Sequence, residues 1–573
     1  MTEVRPAERP QPGEPPRGET SPVVSNSSRV IHGLRVPMRD GVELALDLVR
    51  PDLPGPLPVV LQRTPYDKVA GRDGEIYRGL VERGYITAFN DCRGRFNSDG
   101  VFEPHFHEAD DGHDVIEWIA AQDWCDGNVG MLGGSYAGQT QWFAASRRPP
   151  SLKAIVPYCS PPASPWRNEP IFGGCLMLGI TEWMVDMGAR SYQRLNPMSM
   201  LTEHQPYFNA LPLTSLAEQA GARSRWLEEM LRHPTLDAYW KRRSYDHHPD
   251  ADLAVLNITG WWDMNFPGAP LNFEAMRTGR AADKQKLIIG PWPHMVNMWR
   301  ELSGADFGEH AVVALNDYVI RFFDRWLKGI ENGIEAEKPV HVFVTGANEW
   351  WAEDEWPLRD AEEVPFYFRS RGRANSSDGD GALSTEPPGA EPADAYRYDP
   401  LDQGTRVWNM HEGPVDERPA QQRADLLCYT SEPLAEPLDV VGWVTCRLWA
   451  SSSALDTDWH VRLSDVRPDG TARFLCRGAL RARFRESFEE PKLLEPGEPT
   501  LFAFTMDACG VRFLPGHRIR VEVSSSGFSR YDRNTNSGAD NPFDDDKIVI
   551  ADQRVFHEAE RASCVVLPVV RRG

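Results

Sequence analysis

The chain has no C-x-x-C pair, and its nine cysteines, an odd number scattered from Cys92 to Cys564, show no paired spacing. That argues against both a disulfide framework and a cysteine-bound zinc. No stretch approaches the roughly 18 uninterrupted apolar residues of a membrane span. Basic residues are also scarce relative to acidic ones: 62 Lys and Arg face 84 Asp and Glu, a formal net charge of −22. Such an excess disfavours nucleic acid and anionic membrane surfaces as partners and favours solubility. The first 28 residues are rich in Pro, Glu, Arg and Ser and lack the apolar core of a secretory signal. They read as a disordered tail on a cytoplasmic protein. No internal repeat is evident, and homo-oligomerisation stays open.

What is present is an ordinary globular balance, 41% hydrophobic and 25% charged, in 573 residues. That length exceeds a single core and calls for two or three domains. Residues 30–36 and 42–49 read as strands joined at Asp40-Gly41, a hairpin turn. Apolar runs at 57–61, 85–90, 129–132, 153–158, 253–259 and 286–289 alternate with helical patterns such as 111–121 and 311–327. Alternation of this kind predicts an α/β fold with a largely parallel sheet covered on both faces, over 29–160 and 253–338. Between 161 and 252 the strand rhythm stops, and the segment reads as an inserted helical cap. From 339 to 573, many short strands separated by Gly, Pro and Asp turns predict a β-sandwich of jelly-roll type. Within it, 371–392 is a Gly-, Ser-, Asp- and Pro-rich loop.

The segment Gly133-Gly134-Ser135-Tyr136-Ala137-Gly138 sets a serine between small residues where an apolar strand meets a helix-forming stretch. This is the context of a nucleophile elbow, whose sharp turn lifts the hydroxyl above the sheet. A serine needs a base and an orienting carboxylate, and both follow in the order Ser135, Asp263, His294, each just past a predicted strand. The Tyr136 N–H, one residue after the serine, is the first oxyanion donor, and the Tyr66 hydroxyl, beyond the strand 57–61, is a candidate second. Read from the residues alone, a tyrosine packed beside Pro65 is the favoured reading of Tyr66.

Six blocks then resemble one family: PMRDGVELALDLVRP (37–51), TPYDK (64–68), DCRGRFNSDG (91–100), WCDGNVGMLGGSYAG (124–138), TGWWD (259–263) and GPWPH (290–294). Together with 431–459 and 513–538, they are similar to the bacterial cocaine esterase-like (CocE/NonD) group of α/β hydrolases, which shares its architecture with Xaa-Pro dipeptidyl peptidases. The family motif is G-x-S-Y-x-G, which Gly133, Ser135, Tyr136 and Gly138 match. The resemblance implies an α/β-hydrolase sheet, a helical cap, a jelly roll, a Ser135–Asp263–His294 triad and Tyr66 as side-chain oxyanion donor. It also implies a small-molecule ester as substrate. Amino-ester hydrolases of the family carry carboxylates where this chain has Asn265 and Phe266, so simple carboxylic esters are favoured over substrates with a free amine.

Aromatic residues crowd the motifs, and Trp166, Trp261, Trp262 and Trp292 are candidates for an apolar acyl pocket, with core filling as the alternative for each. The family's jelly roll also lines that pocket, which adds Val407 and Trp408. The chemistry requires no metal or organic cofactor. His105, His107 and His113, and the run Asp544-Asp545-Asp546, have no recognised ligand spacing, and the acidic run reads as a solvated loop. Rival readings are an amidase or Xaa-Pro dipeptidyl peptidase with the same triad, and a non-catalytic binding protein.

Overall fold

The computed structural model describes residues 5–192, 206–247, 250–404 and 413–572. Val407 and Trp408 lie outside the described residues.

The first half of the chain builds a ten-stranded sheet. In chain order its first six strands are β1 (Ser28–Pro37), β2 (Glu43–Pro51), β3 (Leu57–Thr64), β4 (Ile86–Asp91), β5 (Cys125–Gly134) and β6 (Leu152–Tyr158). A two-residue hairpin, β7 (Ile171–Phe172) and β8 (Cys175–Leu176), lies outside the sheet, which resumes with β9 (Ala254–Trp262) and β10 (Gln285–Pro293). After a second small hairpin, β11 (Glu301–Leu302) and β12 (Ala305–Asp306), the sheet ends with β13 (Val340–Val344) and β14 (Glu349–Glu353). The spatial order is β1-β2-β4-β3-β5-β6-β9-β10-β13-β14. From β4 through β13 every pairing is parallel, and only the edges are antiparallel.

Parallel strands need crossovers, and the helices supply them. They are α1 (Glu75–Glu82), α2 (Glu108–Ala120) and α3 (Tyr136–Ser146), then the cap helices, then α8 (Gly268–Arg277) and α9 (Leu315–Lys328). On α2, Val115, Ile116 and Ile119 share one face and are fully buried against the sheet. On α9, Tyr318, Val319, Phe322 and Phe323 do the same on the opposite face, and the helix stops at Gly329, which is left-handed at φ 69°.

The structure departs from sequence expectation at three places. The run 340–344 was expected to open the jelly roll, yet β13 pairs in parallel with β10 and completes the hydrolase sheet. Its Val340, Val342 and Phe343 bury against that sheet's core, so burial rather than chain position assigns the strand. The expected disordered tail is instead laid down on the molecule from residue 5. Ser21 donates its N–H and hydroxyl to the buried Asp324 at 2.8 Å each, and Arg321 donates to the Pro16 carbonyl at 2.8 Å. His341 meets the Gly13 carbonyl at 2.8 Å, so buried polar groups of α9 and β13 take their partners from this segment. The cap, finally, is less helical than expected. Between β6 and β9 its described residues hold the β7–β8 hairpin, α4 (Leu178–Asp186) and three short helices, α5 (Leu216–Gln219), α6 (Arg225–Met230) and α7 (Ala238–Lys241). Gly221, at φ 67°, separates α5 from α6.

The second half is a jelly-roll sandwich whose described residues form twelve strands, from β15 (Ala361–Arg369) to β26 (Cys564–Val570), ten of them in one hydrogen-bonded path and two pairing off it. Alternate residues of its long strands, such as Val440, Val444, Cys446 and Leu448, fill a core shared with the cap residues Trp166, Phe172 and Leu176. The loop 371–392 carries a three-residue strand, Ala382–Ser384, that pairs with β15. Backbone bonds between Thr345 and the strand Thr500–Phe513 tie the sandwich to the sheet domain, at 2.9 Å from Thr345 N to the Gly510 carbonyl and 2.7 Å from Arg512 N to the Thr345 carbonyl.

Candidate active site

Because β3, β5, β9 and β10 run parallel, their C-terminal ends lie along one edge of the sheet. Tyr66, Ser135, Asp263 and His294 follow those four ends. Ser135 occupies a turn of one residue between β5 and α3, with φ 58° and ψ −128°. An L-residue with a side chain adopts such a conformation only under constraint. The constraint is visible in the neighbouring glycines. A Cβ on Gly134 would fall 2.0 Å from the Tyr158 ring, and one on Gly138 would fall 2.9 Å from Ser160 Cβ. Ser135 N–H donates to the Tyr158 carbonyl at 2.9 Å, which pins the turn to β6.

Asp263 and His294 are held together. His294 Nδ1 lies 2.7 Å from Asp263 Oδ1, and Asp263 also accepts from the Thr259 hydroxyl at 2.8 Å and from Asn265 N–H at 3.0 Å. Both side chains are buried. Burial by itself pushes the Asp263 pKa up, but the imidazole charge and these donors outweigh it, so the carboxylate stays below its usual range. The same pairing raises His294 above an ordinary imidazole against the opposite pull of burial. Cys159, just past the end of β6, offers its thiol to the His294 carbonyl at 3.3 Å, and burial pushes that thiol well up.

Tyr66 is half-buried, and burial raises its phenol pKa while the Ser135 hydroxyl, as its hydrogen-bond partner, opposes the shift. The phenol is thus held in its protonated form. The Tyr136 N–H sits at the first position of α3, where a helix provides no internal acceptor. The Tyr136 ring stacks between His105 at 4.9 Å and Trp183 at 5.8 Å, and its hydroxyl donates to Glu108 at 3.0 Å while accepting His105 N–H at 3.0 Å. Glu108 is in turn paired with Arg63 at 3.0 Å, wholly inside the protein.

The tryptophans divide. Trp261 donates its indole N–H to the Phe343 carbonyl at 2.6 Å, and Trp292 donates to the Ala311 carbonyl at 2.6 Å. Both are core residues of the sheet domain rather than cleft residues. Trp262 packs on Phe307 in the same core. Trp166 stands edge-on to Trp240 and Phe484 along the seam between cap and jelly roll, beside a groove of about 340 Å³. Trp261 and Trp292 find acceptors for their indole N–H inside the core, which the sequence does not display. The aromatic that meets Tyr66 and Tyr136 is instead Trp183 of α4, 6.4 Å from the Tyr66 ring and backed by Trp226 at 5.4 Å. No motif marks it. Glu169, a cap carboxyl whose charge acts on His294, Asp263 and Tyr66, also has no sequence signal.

His105, His107 and His113 do not converge: His105 is buried on Gln139 at 2.9 Å, His107 faces Glu103 and His113 faces Asp114. In the acidic run, Asp544 accepts from Thr214 at 2.6 Å and Asp545 from Thr535 and Ser537, so both are engaged by hydroxyls.

This chain is 38% identical to the cocaine esterase of Rhodococcus sp. (strain MB1 Bresler) over 582 residues, which covers 96% of this chain and all of the relative. It belongs to the cocaine esterase family of α/β hydrolases. Residues 40–296 match the X-Pro dipeptidyl-peptidase (S15) family, and residues 332–566 match the X-Pro dipeptidyl-peptidase C-terminal non-catalytic domain. Among solved structures it is similar to an aminopeptidase from a marine sediment archaeon of the Thaumarchaeota, with a TM-score of 0.84, 25% identity and full coverage of both chains. It is also similar to an α-amino acid ester hydrolase, with a TM-score of 0.82 and 27% identity over 96% of this chain and 98% of that one. A member of this family is a serine hydrolase, and the esterase relatives place the chain with the serine ester hydrolases. Among the described residues, no helix is long and apolar enough to cross a membrane.

Proposed function

We propose that the chain hydrolyses carboxylic esters with an apolar or aromatic acyl group through an acyl-enzyme on Ser135. The observation that carries this reading is the buried His294–Asp263 pair at 2.7 Å, set on the same sheet edge as a strained, glycine-flanked serine. His294 takes the Ser135 proton as the oxygen attacks the ester carbon, and Asp263 fixes the imidazole tautomer and stabilises its cation. The resulting oxyanion receives the Tyr136 N–H and the Tyr66 hydroxyl. His294 then protonates the departing alcohol, and water, activated by the same imidazole, releases the acid. The half-buried rings of Trp183 and Tyr66, which meet at 6.4 Å beside the elbow residue Tyr136, support an apolar acyl group.

Cleavage of Xaa-Pro amides is the second reading, favoured by the family match over 40–296. Relative kcat/KM on p-nitrophenyl esters and Xaa-Pro-nitroanilides separates the two, and a preference for the anilides overturns the ester assignment. A fluorophosphonate probe tests the nucleophile: the wild-type protein is labelled and Ser135→Ala is not. Labelling that survives Ser135→Ala removes the serine from its role.

A further inference from the structure

The two groups proposed to bind the oxyanion, the Tyr136 N–H and the Tyr66 hydroxyl, belong to elements distant in the chain. Tyr136 opens α3, and Tyr66 lies just beyond the end of β3. One buried carboxylate joins these elements. Glu108, the first residue of α2, accepts the Tyr136 hydroxyl on Oε1 at 3.0 Å, while its Oε2 lies 3.0 Å from Nη1 of Arg63 on β3. The Glu108 carbonyl takes the same Arg63 nitrogen at 3.0 Å, so Arg63 is held by backbone and side chain together. The Arg63 carbonyl in turn accepts the Thr140 hydroxyl of α3 at 3.2 Å, and Arg63 Nε donates to Asn90 Oδ1 of β4 at 3.0 Å. The Tyr136 phenol is gripped a second time, since its oxygen accepts His105 N–H at 3.0 Å and its ring stacks on the imidazole at 4.9 Å. Arg63 is 0% exposed and Glu108 3%. In such surroundings a hydrogen bond to a carboxylate is strengthened, and a partner that moves away is not replaced by water.

We infer that Glu108 is a positioning residue that, with Arg63, fixes the separation of the two oxyanion donors by tying the Tyr136 phenol to the strand that leads to Tyr66. The inference rests on the oxyanion assignment within the ester-hydrolase reading. Glu108 touches no reacting atom in this role and acts through the tip of the Tyr136 side chain. Ser135 sits at φ 58°, a conformation that persists only where its surroundings impose it. The Tyr136 N–H is held from both sides, by the Ser135 N–H bond to the Tyr158 carbonyl at 2.9 Å and by the phenol bond to Glu108. Rotation of the elbow toward a relaxed turn pulls the phenol off Glu108 and leaves a buried carboxylate oxygen without its donor. Oxyanion donors work within a narrow window of distance, so a small drift of one relative to the other costs rate before it costs the fold.

The test uses Tyr136→Phe, which deletes the phenol bond but keeps the ring, the backbone N–H and the Glu108–Arg63 pair. Its kcat on a p-nitrophenyl ester is expected to fall on the order of ten-fold, with KM nearly unchanged. Glu108→Gln keeps an acceptor for the phenol and the backbone carbonyl that holds Arg63, and retains kcat within about three-fold of wild type. The decisive measurement is a double-mutant cycle with Tyr66→Phe. Once the Tyr66 hydroxyl is gone there is no second donor to keep in register, so adding Tyr136→Phe lowers kcat by less than about three-fold. An arylboronic acid reads the same link without turnover: the Ser135 oxygen adds to boron, its proton passes to His294, and a tetrahedral anion forms where the oxyanion sits. Its inhibition constant in Tyr136→Phe weakens on the order of ten-fold, in step with kcat/KM, while that of planar benzoate stays unchanged. Wild-type kcat in Tyr136→Phe, full additivity with Tyr66→Phe, or equal weakening of both inhibitors overturns the inference. A fully active Tyr66→Phe overturns the oxyanion assignment and the inference with it. Wild-type protein that binds the boronic acid but turns over no ester refutes the ester-hydrolase reading alone, since boronate affinity still decides the link.

Discussion

At the residue scale, the decisive feature is how each polar group at the sheet edge is partnered. Tyr66 follows the end of β3, on the same sheet edge as Ser135. In the proposed role of second oxyanion donor its loss has a kinetic signature: Tyr66→Phe is expected to lower kcat on the order of 10²-fold while leaving KM nearly unchanged. Steady-state kinetics on a p-nitrophenyl ester check it, and full activity in a folded variant removes Tyr66 from the oxyanion hole. Ser135, Asp263 and His294 were legible in the sequence because order and spacing relative to strands are linear properties. Trp183 and Glu169 were not, because the cap delivers them across roughly thirty to fifty residues of chain with no motif. Trp261 and Trp292 misled for the opposite reason: they lie inside motifs, but their indole donors are consumed by carbonyls in the core.

At the scale of elements, the β5–α3 turn shows why glycine is required at chosen positions. Gly134 cannot carry a side chain, since its Cβ would lie 2.0 Å from the Tyr158 ring, while Tyr158 also holds Ser135 through its carbonyl. Gly134→Ala therefore has to displace the Tyr158 ring or tilt the elbow. It is expected to cost at least about 2 kcal/mol of stability and to lower the rate of fluorophosphonate labelling at least ten-fold. Thermal denaturation and labelling kinetics measure both, and wild-type values in each would mean that the turn relaxes freely. The strand 340–344 carries the complementary lesson. Its apolar alternation specifies a strand, but whether it extends one sheet or begins another depends on which partner lies alongside.

At the scale of the whole molecule, cap and jelly roll behave as one packed unit. Arg481 donates to Asp458 at 2.9 and 3.0 Å and to Asp532 at 3.0 Å, and its N–H reaches the Gly173 carbonyl at 2.7 Å. Asp532 in turn accepts Leu176 N–H at 2.7 Å, so the β7–β8 hairpin of the cap is clamped by charges of the sandwich. All three charged side chains are buried. Arg481→Ala leaves two carboxylates without their cation and is expected to cost about 3–5 kcal/mol, lowering the Tm. Because the clamp holds the cap that supplies Trp183, esterase activity should fall at temperatures below global unfolding. Coincident loss of activity and structure would show that the clamp acts on stability alone.

The sequence by itself determined the α/β-hydrolase and jelly-roll architecture, the elbow and the order of Ser135, Asp263 and His294, since periodicity, turn residues and motif order are written along one dimension. The tertiary structure decided where residues distant in the chain come to lie. It laid the acidic, Pro-rich first segment onto α9, gave β13 to the first sheet, and brought Trp183 against Tyr66 and Tyr136. In each case the reason is the same: burial and hydrogen-bond satisfaction are settled by neighbours in space, and a buried Asp324 or an unpartnered Asn265 Oδ1 has no signature in the chain that carries it.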